Sequence, residues 1–285
     1  MRYAPYVATF GEYADAAVLA GLAADAEEAG WDGFFIWDHM AMWWDRASPV
    51  VDSWVALAAI AGATSTIRIG ALVTPVPRRR PWKLARETVS IDRLSGGRLV
   101  FGAGLGANRH EFEELGEVTG MGERAAMLDE GLEVLTRLWS GETVHHEGRH
   151  YRVDGARFLP IPVQQPRIPV WVAVSWPNPG PMERALGWDG AVVMGAEDGP
   201  LSTSPEAVGE IREAAGGRPF DLAVANGNPE WDVDRDAAEV ERYAGAGLTW
   251  WLEVVDPWRF TDDIDRPWPR EAMRDRILAG PPRFH

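Results

Sequence analysis

Short apolar runs alternate with stretches whose apolar residues recur at helical spacing, and the alternation repeats about eight times without a linker. The runs predict strands at Tyr3 to Ala8, Gly33 to Trp37, Ile67 to Val73 and Arg98 to Ala103. The series resumes with Ile168 to Val174, Gly190 to Met194, Phe220 to Ala225 and Leu248 to Val255. Helices are predicted between them. The first runs from Ala14 to Ala29 and stops at Gly30, the second follows an Asp52-Ser53 cap, and the third has Pro81 in its first turn and stops at Ser95-Gly96-Gly97. A fourth, Arg124 to Trp139, has a cap candidate in Gly122-Glu123. The later ones are Met182 to Leu186, Pro205 to Ala215, Asp234 to Ala244 and Pro269 to Ala279. An unbroken βα series implies a closed (β/α)8 TIM barrel, with 1–285 as a single domain.

The rhythm breaks once. Thr143 to His146 and Arg149 to Val153, around Glu147-Gly148, read as a β-hairpin inserted before the fifth strand. Pro160, Pro162, Pro166 and Pro169 then force an extended path that lies against the barrel. In a barrel of this kind the loops following the strands build the active site, so chemistry is expected where the strands end.

Composition narrows the class. A chain of 285 residues, 46% hydrophobic and 25% charged, is ordinary globular material for one barrel. The longest apolar stretch, Trp54 to Ala63, is far too short to span a bilayer, and the N-terminus has no signal-peptide pattern, so a cytoplasmic location is expected. A net charge of −15 speaks against nucleic-acid binding. The absence of cysteine excludes disulfides and thiolate chemistry. Small-molecule chemistry is what remains. Fifteen tryptophans are about twice the usual share for this length. Trp54, Trp139, Trp171 and Trp188 read as core. Trp37, Trp43, Trp44, Trp176, Trp250 and Trp251 fall at strand ends or in loops, where flat apolar walls suit a planar ligand.

The apolar strand Phe34-Phe35-Ile36-Trp37 ends in Asp38-His39, which makes His39 the acid/base candidate. A loop histidine beside a turn-capping Asp38 would read the same way. Small Ala71 and hydroxyl-bearing Thr74 close the third strand, and Gly102-Ala103-Gly104 clears side chains at the end of the fourth. These glycines lack the spacing of a dinucleotide-binding fingerprint. Arg78-Arg79-Arg80 with Lys83 and Arg86 would hold an anionic cofactor tail, or form a solvated face paired with acids. Ser175-Trp176 ends the fifth strand, where a hydroxyl and helix N-terminal amides suit a phosphate. His145, His146 and His150 read as hairpin surface residues, and no metal is expected.

Taken in order, Trp37-Asp38-His39, Ile69 to Pro75, Ser95 to Gly104 and Pro162 to Ala173 resemble the bacterial luciferase-like flavin oxidoreductases. Leu128 to Leu132 and Leu138 to Gly141 fit the same order, so the likeness covers roughly Gly30 to Val193. The resemblance implies an isoalloxazine or deazaflavin ring across the barrel mouth, against a bulged third strand formed by Ala71, Leu72, Val73 and Thr74. Asp38, Gly104, Ser175 and Trp176 complete the implied cofactor site, with Ser175 at a matching phosphate position. It also implies FMN or coenzyme F-420, a small organic substrate, a separate flavin reductase or donor of reduced cofactor, and a homodimer. The Asp38-His39 pair is similar to that of the deazaflavin group. Leu105, Gly106 and Ala107 stand where some deazaflavin dehydrogenases carry a glutamate, which speaks against a sugar-phosphate dehydrogenase. His39 is then the proton-active group, with Trp37 and Trp43 walling the substrate pocket. A flavin-binding protein without catalysis is the alternative. A cofactor-free hydrolase ranks last, because Asp38, Glu111 and Glu253 are its few candidate carboxylates.

Overall fold

The computed structural model describes residues 1–42, 48–194, 203–226, 237–261 and 267–281. Its elements in chain order are β1 (Arg2–Val7), α1 (Ala16–Glu28), β2 (Gly33–Ile36), α2 (Ser53–Ala63), β3 (Arg68–Ala71), β4 (Thr74–Pro75), α3 (Pro81–Leu94), β5 (Phe101–Gly104), α4 (His110–Glu113) and α5 (Met121–Trp139). The hairpin β6 (Thr143–Glu147) and β7 (Arg152–Arg157) follows. Then come β8 (Val170–Ser175), α6 (Pro179–Leu186), β9 (Gly190–Met194), α7 (Pro205–Ala214), β10 (Asp221–Asn226), α8 (Ala237–Gly245), β11 (Trp250–Val255) and α9 (Arg270–Leu278).

The strand order β3-β2-β1-β11-β10-β9-β8-β5-β4 is parallel throughout. The third barrel strand is in two pieces, β3 and β4, separated at Leu72-Val73, whose peptide is cis. Both pieces lie against the chain of the fourth strand. The Ile69 N–H donates to the Arg98 carbonyl at 3.2 Å, the Val100 N–H to the Ile69 carbonyl at 2.8 Å, and Thr74 pairs with Ala103. These contacts close the barrel. The approach here is too close for side chains: a Cβ on Gly70 would sit 2.3 Å from the Val100 carbonyl oxygen, and one on Gly102 2.3 Å from that of Ala71.

Local chemistry explains the element ends. Asp15 caps α1 by accepting from the Ala17 N–H at 2.7 Å, and Asp52 caps α2 by accepting from the Trp54 and Val55 N–H groups, each at 2.9 Å. The helix α5 starts at Met121 with Gly120 as its cap, earlier than the Gly122-Glu123 expectation. The Ser95-Gly96-Gly97-Arg98 run has a structural job. Gly96 and Gly97 turn the chain at φ +67° and +87°, and buried Arg98 donates to the carbonyls of Ala61, Thr64, Ile67 and Ser95. Two of those carbonyls belong to the C-terminal end of α2, which has no helical partners for them. In the same way buried Asp92 accepts from the N–H groups of Val163 and Gln164, so the proline-rich segment is pinned to α3.

Successive strand residues alternate between two cores. Tyr6, Phe35, Leu72, Trp171, Trp250 and Leu252 fill the barrel, while Val7, Phe34, Trp251 and Val255 face the helices. Trp250 and Trp251 lie at the start of β11, away from the active face. They are packing residues: Trp250 is 5.5 Å from both Phe35 and Trp171, with the Arg2 guanidinium over its ring at 4.7 Å. This cluster stops the N-terminal end of the barrel, so the interior is a core and not a pore. On the outside, fully buried Glu253 pairs with Arg259 at 2.6 Å and Arg276 at 2.9 Å, which docks α9 and the segment after β11 onto the sheet. The hairpin is antiparallel, with Gly155 (φ +70°) as the extra residue of a bulge. It is tied to α5 by Glu130, which accepts from the His150 and Tyr151 N–H groups. No helix among the described residues is long and apolar enough to cross a membrane.

Candidate active site

A cavity of about 360 Å³ opens at the C-terminal ends of the strands. Its floor is the break in the third strand, Leu72 and Val73, with Gly104 beside it and Ala173 beyond. Glycine is required at 104, because a Cβ would meet Val73 Cγ2 at 2.4 Å. Tyr6 stands below. Its hydroxyl makes a short hydrogen bond to the Leu72 carbonyl, which fixes the break from inside the barrel, and burial pushes the phenol above its ordinary range. Trp37 packs 5.8 Å from Tyr6 and forms another wall.

His39, one-fifth exposed, and buried Asp38 line the same cavity at the end of β2. They have different partners. Asp38 accepts from Arg79 Nη2 at 2.8 and 2.9 Å and from Arg78 Nη2 at 3.1 Å. His39 Nδ1 lies 3.0 Å from Glu111 Oε1, and that oxygen also accepts from the N–H groups of Met40 at 2.7 Å and Ala41 at 3.2 Å. The other oxygen, Oε2, forms a short ion pair with Arg78 Nη1. Burial by itself would raise the Glu111 carboxyl, but the His39 ring, the Arg78 guanidinium and the Met40 amide outweigh it and hold the group at about 2. Glu111 comes from α4, just beyond β5. Asn108 ties the same two loops together, donating to the Ala41 carbonyl at 2.7 Å and accepting from the His110 N–H at 3.1 Å. Arg124 of α5 supports the loop from outside, donating to the Gly106 carbonyl at 2.9 Å with its guanidinium over Phe112.

The residues singled out in the sequence sort as follows. Asp38, His39, Trp37, Leu72, Val73, Gly104 and Ser175 line the cavity. Ala71 and Thr74 are buried beneath the break and do not line it, and neither does half-buried Trp176. Trp43 and Trp44 lie outside the described residues. Two members of the basic run are spent inside the protein: Arg78 and Arg79 are committed to Asp38 and Glu111, while exposed Lys83 pairs with Glu87 and Arg86 donates to the Leu159 carbonyl. Sequence reasoning weighed Glu111 only as a hydrolase acid and missed its contact with His39. A faint signal was present: Asn108 opening a short helix that carries buried Phe112 places Glu111 in the first turn. No group of three or more His and acidic residues among the described residues can hold a metal.

The cavity suits a flat ring with a polar edge. Its walls are mostly apolar, its volume is at the lower end for small-molecule sites, and one buried donor of a lining residue, Trp37 Nε1, has no partner among the described residues. Ser175 would face a phosphate, and of the first three residues of α6 Gly180 alone brings an amide N–H, because Pro179 and Pro181 have none.

The family model for luciferase-like monooxygenases matches residues 6–279. An F420-dependent hydroxymycolic acid dehydrogenase of Mycobacterium tuberculosis is 28% identical over 277 residues, 92% of this chain and 71% of that protein. An F420-dependent glucose-6-phosphate dehydrogenase of Nakamurella multipartita is 32% identical over 160 residues, but the match spans 56% of this chain and less than half, 47%, of that protein. Among solved structures, an F420-dependent secondary alcohol dehydrogenase in complex with an F420–acetone adduct superposes with a TM-score of 0.74 at 17% identity, over 89% of this chain and 92% of that one. That likeness establishes the barrel. The chain belongs to the luciferase-like monooxygenase family.

Proposed function

We propose that the protein is a luciferase-like oxidoreductase that uses a flavin-type cofactor, F-420 in preference to FMN, to exchange a hydride with a small, uncharged and largely apolar alcohol or carbonyl compound. The observation that carries this reading is an apolar cavity at the barrel mouth with one proton-active ring, His39, on its edge. When bound, the cofactor supplies a two-electron hydride acceptor or donor. Leu72, Val73, Gly104 and Ala173 would hold the ring and exclude water, and Ser175 would hold the phosphate. With such a cofactor bound as hydride acceptor, the His39 imidazole would take the substrate hydroxyl proton in the oxidative direction and return it in reduction.

Charge supports the substrate class. The arginine among the described lining residues, Arg184, is locked bidentately to Asp129, so it is not at hand for a substrate phosphate. At the rim, Met121 is 57% exposed and Met40, next to His39, is 56% exposed; both are adaptable apolar contacts. Leu105, Gly106 and Ala107 on the cavity wall, the stretch where the resemblance gives some deazaflavin dehydrogenases a glutamate, fit the same class.

The test is a titration of purified protein with F-420 and separately with FMN, followed by tryptophan quenching and ring absorbance. F-420 reduction is then assayed with a panel of alcohols from sugar phosphates to long-chain secondary alcohols. Tight F-420 binding and turnover that rises with alcohol apolarity are expected, and His39→Ala should lower turnover about 100-fold or more with little change in cofactor affinity. Equal loss of both would make His39 structural. Binding without turnover across the panel would favour the non-catalytic flavin-binding alternative, and preference for FMN would overturn the deazaflavin reading.

A further inference from the structure

We propose that Glu111 is a positioning residue that holds a proton on Nδ1 of the His39 imidazole and so makes Nε2 the basic nitrogen of the neutral ring. This rests on the reading of His39 as the proton-active group. The argument is one of donor and acceptor accounting. Oε1 of Glu111 faces the Met40 and Ala41 amides and His39 Nδ1, and Oε2 faces the Arg78 guanidinium. Two backbone amides and a guanidinium can only donate, so the group they surround accepts at both oxygens and is a carboxylate. The fourth neighbour, Nδ1, must then donate as well. A neutral imidazole with its proton on Nδ1 is basic at Nε2 alone.

The arrangement also aims the ring. Met40 and Ala41, the two residues after His39, are gripped by the oxygen that holds the ring, and Asn108 grips Ala41 from the same loop. Glu111 and Arg78 are each 1% exposed, so the contact is shielded from water. An ion pair that served only to stabilise α4 would need Arg78 and no contact with the imidazole. A buried acceptor behind a histidine that does chemistry at its other nitrogen is what sets tautomer and orientation in ligating and catalytic histidines generally.

The test is long-range 15N–1H correlation of the histidine rings in the uniformly labelled full chain without cofactor, recorded at alkaline pH where imidazole is neutral. The His39 signals are identified by their loss in His39→Gln. The expected result is a ring protonated at Nδ1 in the wild type, conversion to the Nε2–H form in Glu111→Ala, and retention of Nδ1–H in Glu111→Gln, whose amide oxygen still suits the donor cluster. A wild-type ring protonated at Nε2, or at both nitrogens, overturns the proposal without any variant, as does a Glu111→Ala ring that keeps Nδ1–H. Because the measurement needs no cofactor, failure of F-420 to bind would count against the proposed function and leave this result to be read separately.

Discussion

Replacing Glu111 by Gln removes a buried negative charge while nearly preserving side-chain shape. The carboxyl titrates at about 2 in the folded protein, against 4.5 for an unconstrained glutamate. Each tenfold change in proton affinity is worth about 1.4 kcal/mol, so ionised Glu111 contributes about 3 kcal/mol to stability. A depressed folded-state value fixes the direction. The contribution is complete above about pH 4.5 and disappears as pH falls through about 2. Gln adds a second cost, since its amide N–H faces Arg78, but that cost does not vary with pH. Urea unfolding followed by tryptophan fluorescence at pH 7, 5, 4 and 3 should therefore show the wild type ahead of Glu111→Gln by about 3 kcal/mol or more at neutral pH. The gap should narrow through the acid range. Two stability curves that stay parallel from pH 7 to 3 would mean that folding does not favour the ionised carboxylate, and the account of the His39, Arg78 and Glu111 cluster would fail.

Gly104→Ala puts a Cβ 2.4 Å from Val73 Cγ2 at the cavity floor, so a loss of about 1–3 kcal/mol is expected in chemical denaturation, together with weaker cofactor binding in the titration above. Arg276→Met leaves fully buried Glu253 with Arg259 as its remaining cation, and should cost about 3 kcal/mol in the same assay. Burial raises Asp256 to about 6, so its ionisation works against folding: Asp256→Asn should be more stable than wild type at pH 8, by up to about 3 kcal/mol, with the advantage fading as pH falls towards 4. Thermal melts at both pH values check it, and a variant advantage that is unchanged at pH 4 would refute the cause.

The barrel was legible because its signals are local. Eight apolar runs of strand length, Asp52 at a helix start, and Gly30 and Gly96-Gly97 at helix stops each act within a few residues, and the parallel sheet follows from their order; the Asp15 cap went unread, since the first helix was expected from Ala14. The site was half legible. His39 could be picked out because an apolar strand ended on it, and Gly104 because side chains vanished at a strand end. Thr74 and Ala71 looked like ligand contacts because they sit next to the break in the third strand, yet both are buried and off the cavity wall; the break interrupts strand alternation, so the adjacent Leu72 and Val73 both face the cavity.

What sequence could not reach was pairing across the barrel mouth. Asp38 and His39 are adjacent in the chain, but the first is held by Arg78 and Arg79 and the second by Glu111, 72 residues away. A run of three arginines on an acidic protein invites an anion from outside, whereas the fold supplies anions of its own. Spacing along the chain decides which face of a strand or helix a residue occupies, and so the sequence alone determined the elements, their order and the end of the barrel where chemistry belongs. Only the closed barrel, by bringing the loops after β2, β4 and β5 within hydrogen-bond distance of one another, decided which charges are spent on structure and which carboxylate holds Nδ1 of His39.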